Sequence, residues 1–337
     1  MRVHRAYQAL PSDSRGCVVA IGNFDGVHRG HKALIDAARR EADRLGGAVG
    51  IITFEPHPLQ LLRPEMAPKR LTPFRTKVKA LAAHGVDTVF ALTFNQALRE
   101  QSPEAFVKNV LGEGLSVRHV VVGYDFRFGH KASGDVATLI DLGERFGFGV
   151  TMVEPVTWHG EICSSSRIRA AVAEGDVATA ADLLGHPFVV EGRVVGGDRR
   201  GRDLGFPTAN IRPPDPKSPY GPVLWPEAGV YAVRAGWQEG DAAIIADGAA
   251  NIGLRPTFDD GQGRLLEIHL LDRKVNLYGR RLCCQFIQRI RRELPFAEVE
   301  GLKAAVAKDC DDAREILANT PPSPYIENIV LLGGRGR

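Results

Sequence analysis

Long apolar runs are missing from this 337-residue chain, where none approaches the ~18 residues that a membrane-crossing helix needs. The opening stretch Met1 to Ser14 mixes charged with apolar residues and lacks the apolar core of a signal peptide. Cysteine is scarce and odd in number: five residues (Cys17, Cys163, Cys283, Cys284 and Cys310), with no pair at the C-x-x-C spacing of a zinc or redox site. A disulfide framework is thereby excluded, and a reducing compartment, hence the cytoplasm, is the expectation. An excess of one charge is also lacking. The net charge is +3 and no block of five like charges occurs. Composition therefore makes no case for nucleic acid or a membrane as partner. There is no internal repeat and no Walker or protein-kinase glycine loop.

What is present is an ordinary globular composition, with 44% hydrophobic and 25% charged residues, on a chain long enough for two domains with separate cores. In the first half, short apolar runs at Cys17–Ile21, Ile51–Phe54, Thr88–Leu92, Val120–Val122 and Val150–Val153 read as buried strands. Amphipathic stretches at His31–Leu45, Thr76–His84, Pro103–Leu111 and Val136–Phe146 read as helices between them. Strict alternation predicts a doubly wound parallel sheet whose ligands sit beyond the carboxyl ends of the strands, in the loops after Ile21, Phe54 and Val122. From Gly185 onward the texture changes to short strands between Gly and Pro turns: Phe188–Val195, Val230–Ala235, Ala243–Ile252, Leu265–Leu270 and Leu282–Ile290. That pattern predicts an antiparallel barrel or sandwich, closed by one helix from Glu298 to about Ala318.

The loop after the first strand, Gly22-Asn23-Phe24-Asp25-Gly26-Val27-His28-Arg29-Gly30-His31, runs into a helix. Its glycines permit close backbone approach, and helix-start N–H groups suit a phosphate. His28 and His31 are three apart, so on a helix start they share a face and can both donate to an oxygen anion; surface residues or a metal pair are the other readings. Phe54-Glu55-Pro56-His57-Pro58 holds His57 between prolines, which serves a site or a plain turn. Gly123-Tyr124-Asp125-Phe126-Arg127-Phe128-Gly129 places Asp125, Phe126 and Phe128 at a strand end, as a stacking platform for a flat ring or as core. Ser164, Ser165 and Ser166 with Arg167 and Arg169 offer hydroxyls and guanidiniums to a polyphosphate, or a simple helix cap.

In the second half the distinctive string is Gly201-Arg202-Asp203-Leu204-Gly205-Phe206-Pro207-Thr208-Ala209-Asn210. Thr208 and Asn210 are two apart, so an extended backbone points both to one face, where a hydroxyl and an amide oxygen suit Mg²⁺ and Gly205 leaves room for phosphates. A polar turn after a strand is the alternative. Glu267 is a carboxylate that can accept a proton from an attacking hydroxyl, or an ordinary strand residue.

These segments resemble the bacterial bifunctional riboflavin kinase/FAD synthetase family. The nucleotidylyltransferase half is carried by H-x-G-H, F-x-P-H-P, G-x-D-F-x-F-G and the serine run over roughly 16–184. The kinase half is carried by G-R-x-L-G-F-P-T-A-N and by Gly229-Val230-Tyr231, Asn251-Ile252-Gly253, Pro256-Thr257-Phe258 and Glu267-Ile268-His269-Leu270 over 185–317. The resemblance implies an α/β nucleotidylyltransferase domain with a doubly wound parallel sheet (1–184) and an antiparallel β-barrel riboflavin kinase domain with a terminal helix (185–337). It implies phosphorylation of riboflavin to FMN and adenylylation of FMN to FAD by in-line transfer from ATP with Mg²⁺. The implied catalytic groups are Glu267, as base, and His28 and His31. Implied ATP contacts are Gly22, Phe24, Asp25, Gly26, Ser164, Ser165, Ser166, Arg169, Gly205, Pro207 and Thr208. Implied flavin contacts are His57, Asp125, Phe126, Phe128 and Arg291, and the implied metal ligands are Thr208 and Asn210. Ser166 stands where the family usually has Thr, and Arg292 where it has Pro. The Pro213–Pro226 stretch is longer than usual. A chain with one active domain, or a flavin-binding regulator without turnover, are the rival readings.

Overall fold

The computed structural model describes residues 1–197, 205–212, 221–254, 264–296 and 298–332. Gly201–Leu204 of the long signature, Pro256-Thr257-Phe258 and most of the Pro213–Pro226 stretch lie outside the described residues. Residues 1–69 and 80–163 group into one compact unit, and 70–79 with nearly all described residues from 164 onward into a second.

In the first unit β1 (Arg2–His4), β2 (Val18–Ile21), β3 (Val49–Glu55), β4 (Thr88–Thr93), β5 (His119–Gly123) and β6 (Gly149–Val153) form a sheet of order β1-β4-β3-β2-β5-β6. Every pairing is parallel. Both faces of such a sheet are covered, which is why β2 and β5 read as unbroken apolar runs. Between the strands along the chain lie α1 (Arg29–Leu45), α2 (Pro58–Leu62), α3 (Phe74–Ala83), α4 (Gln96–Arg99), α5 (Pro103–Phe106) and α6 (Val136–Phe146). Helix α1 buries Leu34, Ile35, Ala38 and Ala42 and stops at Gly46, whose φ of 62° suits a residue without Cβ. Three expectations need correction. Val150–Val153, read as a buried strand, lies in β6 at the sheet edge, where none of the residues is buried and Met152 is 43% exposed. The one helix expected to close the second half is followed by another over Tyr325–Leu331, which buries Tyr325, Ile326, Ile329 and Val330. The single helix expected at Pro103–Leu111 is α only to Phe106 and continues as a π-helix over Val107–Gly114, with the Leu115 N–H bonded to the Val110 carbonyl. The wider turn ends at Gly114, where a Cβ would collide with Tyr7 at 2.8 Å. A two-stranded hairpin, β7 (Thr157–Trp158) and β8 (Glu161–Ile162), follows the sheet.

The second unit begins with α7 (Ser165–Glu174) and α8 (Val177–Leu184), which Gly185 ends at φ 82°. Six strands follow: β9 (Phe188–Val195), β10 (Thr208–Ile211), β11 (Gly229–Glu239), β12 (Ala242–Leu254), β13 (Arg264–Leu270) and β14 (Arg281–Arg292). They close in the order β10-β13-β12-β11-β14-β9 as an antiparallel barrel. The closing helix Val299–Ala318 lays Cys310, Ala313 and Leu317 against Ala232, Ala249 and Leu271. Buried Arg234 donates to the carbonyls of Leu317, Thr320 and Pro321, tying the end of that helix and the residues just after it to β11.

Candidate active sites

In the parallel sheet β2 lies between β3 and β5, with strands about 4.8 Å apart, so the loops after these three strands open on one sheet edge. The loop after β2 is wound tightly. Phe24 and Val27 sit at φ 49° and 45°, left-handed conformations that a β-branched residue such as Val adopts only under constraint. The constraint is burial, since Phe24 is 0% and Val27 1% exposed. Nothing in the residue types announces this strain, and sequence reasoning missed it.

The two histidines cap α1 through each other. His28 is the N-cap residue, and its Nδ1 accepts from the Gly30 N–H at 3.1 Å; His31 Nδ1 accepts from the His28 N–H at 3.3 Å. The rings stack with centroids 3.7 Å apart. In a neutral imidazole the second nitrogen then carries the proton, so Nε2 of each ring is a donor. His28 and Asp25 are buried, His31 is half-buried, and the Phe24 ring lies 4.9 Å from that of His31. The sequence predicted a shared face; the structure adds that backbone hydrogen bonds fix both rings.

Beyond β3, His57 repeats the device. It is the N-cap of α2, its Nδ1 accepting from the Leu59 N–H at 3.2 Å while the Gln60 side chain accepts from the His57 N–H at 3.0 Å. Beyond β5, Asp125 is exposed and Phe126 half-buried, and the Phe126 ring stacks at 5.5 Å on Phe128. Phe128 belongs to the core and packs on Phe106, so it supports Phe126 from below. In the second unit Ser164 is the N-cap of α7, its hydroxyl accepting from the Arg167 N–H at 3.4 Å, with Ser165, Ser166 and Arg169 in the first turns.

On the barrel, the β10–β13 register sets Asn210 opposite Glu267 and Thr208 opposite His269, and the β12–β13 register sets Asn251 opposite Glu267. Directly opposed residues share a face, so Asn210, Glu267 and Asn251 form a row across three strands with the carboxylate in the middle. Glu267 is half-buried. Asn210 is 5% exposed, and its Oδ1 has no hydrogen-bond partner among the described residues. A buried acceptor left unpaired is costly and calls for a partner. Thr208 and Asn210 line a cavity of about 670 Å³ together with Gly205, Pro207, Arg273 and Lys274. The Pro207 carbonyl is held by His269 Nδ1 at 2.9 Å. Arg273 and Lys274 were not singled out from sequence, and Asn251 was quoted there within Asn251-Ile252-Gly253 with no role assigned. Two adjacent cations in a turn between strands were the available signal for the first pair.

Arg291 is occupied elsewhere. Its Nε and Nη2 fork onto Asp309 of the closing helix at 2.8 and 2.7 Å, and its Nη1 reaches the Arg292 carbonyl. Asp309 is 7% and Arg291 23% exposed, so Arg291→Ala strands a buried carboxylate and is expected to lower barrel stability by about 3 kcal/mol in urea unfolding. Adding Asp309→Asn should recover part of that loss.

Among the described residues both clusters present fixed donors, backbone N–H groups and side-chain oxygens, and neither sets a nucleophile beside a base. Such an arrangement suits an enzyme that transfers phosphorus groups, and comparisons with known proteins show that class. Residues 10–167 match the family described as FAD synthetase and residues 184–317 the family described as riboflavin kinase. A bifunctional riboflavin kinase/FMN adenylyltransferase of Escherichia coli K12 is 40% identical over 321 residues, covering 95% of this chain and 98% of that protein. Proteins of the same name from Pseudomonas fluorescens and Listeria monocytogenes are 41% and 39% identical, covering 94% and 89% of this chain and 98% and 92% of theirs. The chain belongs to the bifunctional riboflavin kinase/FMN adenylyltransferase family. A crystal structure titled as a macrolide-efflux protein from Streptococcus pneumoniae shares the fold at a TM-score of 0.79 and 25% identity, covering 95% of this chain and 99% of that one. No helix among the described residues is long and apolar enough to cross a membrane.

Proposed function

We propose that the barrel phosphorylates riboflavin from ATP with Glu267 as the base, and that the parallel-sheet domain adenylylates FMN with His28 and His31 as donors to the α-phosphate. The observation that carries the reading is the row Asn210–Glu267–Asn251, which sets a carboxylate between two amides beside a nucleotide-sized cavity. Glu267 takes the proton from the ribityl 5′-hydroxyl as that oxygen attacks the γ-phosphate. Thr208 and Asn210 are the proposed Mg²⁺ ligands, and Oδ1 of Asn210, which has no partner among the described residues, is the acceptor such an ion fits. When bound, Mg²⁺ supplies charge neutralisation on the phosphate oxygens. Gly205 and Pro207 flank the nucleotide. In the first unit the strained loop Gly22, Phe24, Asp25 and Gly26 is proposed to hold ATP, and His57, Asp125 and Phe126, with Phe128 behind it, the flavin. Ser164, Ser165, Ser166 and Arg169 at the start of the second unit are further proposed ATP contacts. The Nε2 protons of His28 and His31 meet negative charge as it grows on the α-phosphate and pyrophosphate leaves. For Arg291 the fork to Asp309 supports a strut in place of a flavin contact. The scarcity and odd number of cysteines support a reducing, cytoplasmic setting. Incubation with riboflavin, ATP and Mg²⁺, followed by chromatography, tests the reading: FMN and then FAD are expected, and absence of either product refutes the corresponding half.

The proposed catalytic division falls at 184/185. A fragment starting at residue 185 loses α8 from β9 and β14, and it takes Lys79, Thr76 and Arg75 away from the buried carboxylate of Glu191, leaving Arg281 at 3.7 Å. It is expected to phosphorylate riboflavin yet unfold about 3–5 kcal/mol more easily than the barrel in the whole chain. A folded fragment that binds riboflavin and makes no FMN would refute the division.

A further inference from the structure

We infer that Gly197 is a positioning residue of the kinase site, whose missing side chain holds the Asn210 amide in the orientation that ligates metal. The inference rests on the assignment of Asn210 as a metal ligand. Asn210 pairs with Val195 at the end of β9, and the chain then passes back over the Asn210 side chain through Gly196 and Gly197. A Cβ at 197 would stand 2.5 Å from Asn210 Nδ2, 2.9 Å from its Cγ and 3.2 Å from its Oδ1. Contacts so short do not persist, so one group has to move. The mobile one is the amide. It is 5% exposed and set between Val195 on β9 and Glu267 on β13, so its escape is a rotation that turns Oδ1 away from its present direction. A methyl group at 197 is therefore a substitution against the ligand, made without replacing the ligand residue.

The neighbouring glycine provides the comparison. A Cβ at Gly196 meets nothing within 4 Å, although it sits in the same connection and loses the same backbone freedom on mutation. Two adjacent glycines that read alike in sequence thus differ in surroundings: open space lies beside one, and the side chain of the proposed ligand beside the other.

The experiment measures Mn²⁺ binding to the whole protein in the presence of ADP by electron paramagnetic resonance, for Gly197→Ala, Gly196→Ala, Asn210→Ala and the double variant Gly197→Ala/Asn210→Ala. Alongside, the Mg²⁺ concentration for half-maximal riboflavin phosphorylation is determined. Gly197→Ala is expected to weaken Mn²⁺ binding and raise the Mg²⁺ requirement at least about tenfold, with Gly196→Ala near the natural protein. In the Asn210→Ala background Gly197→Ala should cost nothing further, because the pair acts as one unit. Normal Mn²⁺ binding by Gly197→Ala, or an equal additional loss in the double variant, overturns the role of Gly197. Normal Mn²⁺ binding by Asn210→Ala overturns the ligand assignment beneath it. Thermal unfolding of each variant separates a lost site from a lost fold.

Discussion

Replacing Glu267 by Gln is expected to cut riboflavin phosphorylation by ~10²–10⁴ while FMN is still converted to FAD, since removal of a general base has that effect and His28 and His31, the proposed adenylylation donors, lie in the first unit. The amide keeps the size of the carboxylate between Asn210 and Asn251, so the strand register and the barrel core are undisturbed. A loss beyond a hundredfold in a variant of unchanged side-chain size and unchanged stability then points to the lost proton acceptor. The comparison supplies riboflavin in one reaction and FMN in another, with urea unfolding as a check that the barrel is intact. Near-normal FMN formation would reduce Glu267 to a strand residue and move the search to other carboxylates around Thr208 and Asn210.

His28 calls for a pair of variants, because its ring has a structural and a chemical duty. His28→Ala removes the acceptor that caps α1 and the Nε2 donor together; His28→Asn keeps a good N-cap acceptor and loses the ring. Both are expected to lose FMN adenylylation by ~10²–10³, the usual loss when one donor to developing charge is removed. Only the alanine variant should also lose about 1 kcal/mol of stability. If activity returns with stability in His28→Asn, the histidine is a cap and nothing more.

How much of this was legible in the sequence follows from which forces act locally. The central strands β2, β3 and β5 announced themselves because a strand buried on both faces must be apolar throughout. Strand β1, by contrast, is Arg2-Val3-His4 on the sheet edge; its polar composition gives no periodic signal, and it is a strand because β4 offers it partners. The two-residue spacing of Thr208 and Asn210 was readable as a shared face, and β10 bears it out. That Glu267 and Asn251 join the same row depends on pairing between segments far apart in sequence. The Arg291–Asp309 fork is of the same kind, joining a strand to a helix that begins beyond it. The mutual capping of His28 and His31 lay between these cases. The spacing was visible, while the strained backbone that delivers it comes from the burial of Phe24 and Val27.

Closure of the barrel carries a mechanical consequence. An open sheet can let one strand slide along its neighbour and re-form its ladder two residues on, whereas a ring of six strands has no edge at which to begin such a slide. Moving β13 against β10 would require β12, β11, β14 and β9 to move in turn, until the displacement returned to β10 from the other side. The alignment of Glu267 with the amides on either side is therefore a property of the circuit as a whole. Shifting any whole strand by one register step, even opposite the row, should be felt there as misalignment of the proposed proton acceptor, whereas a single extra residue is taken up as a bulge of the kind β14 already carries against β11.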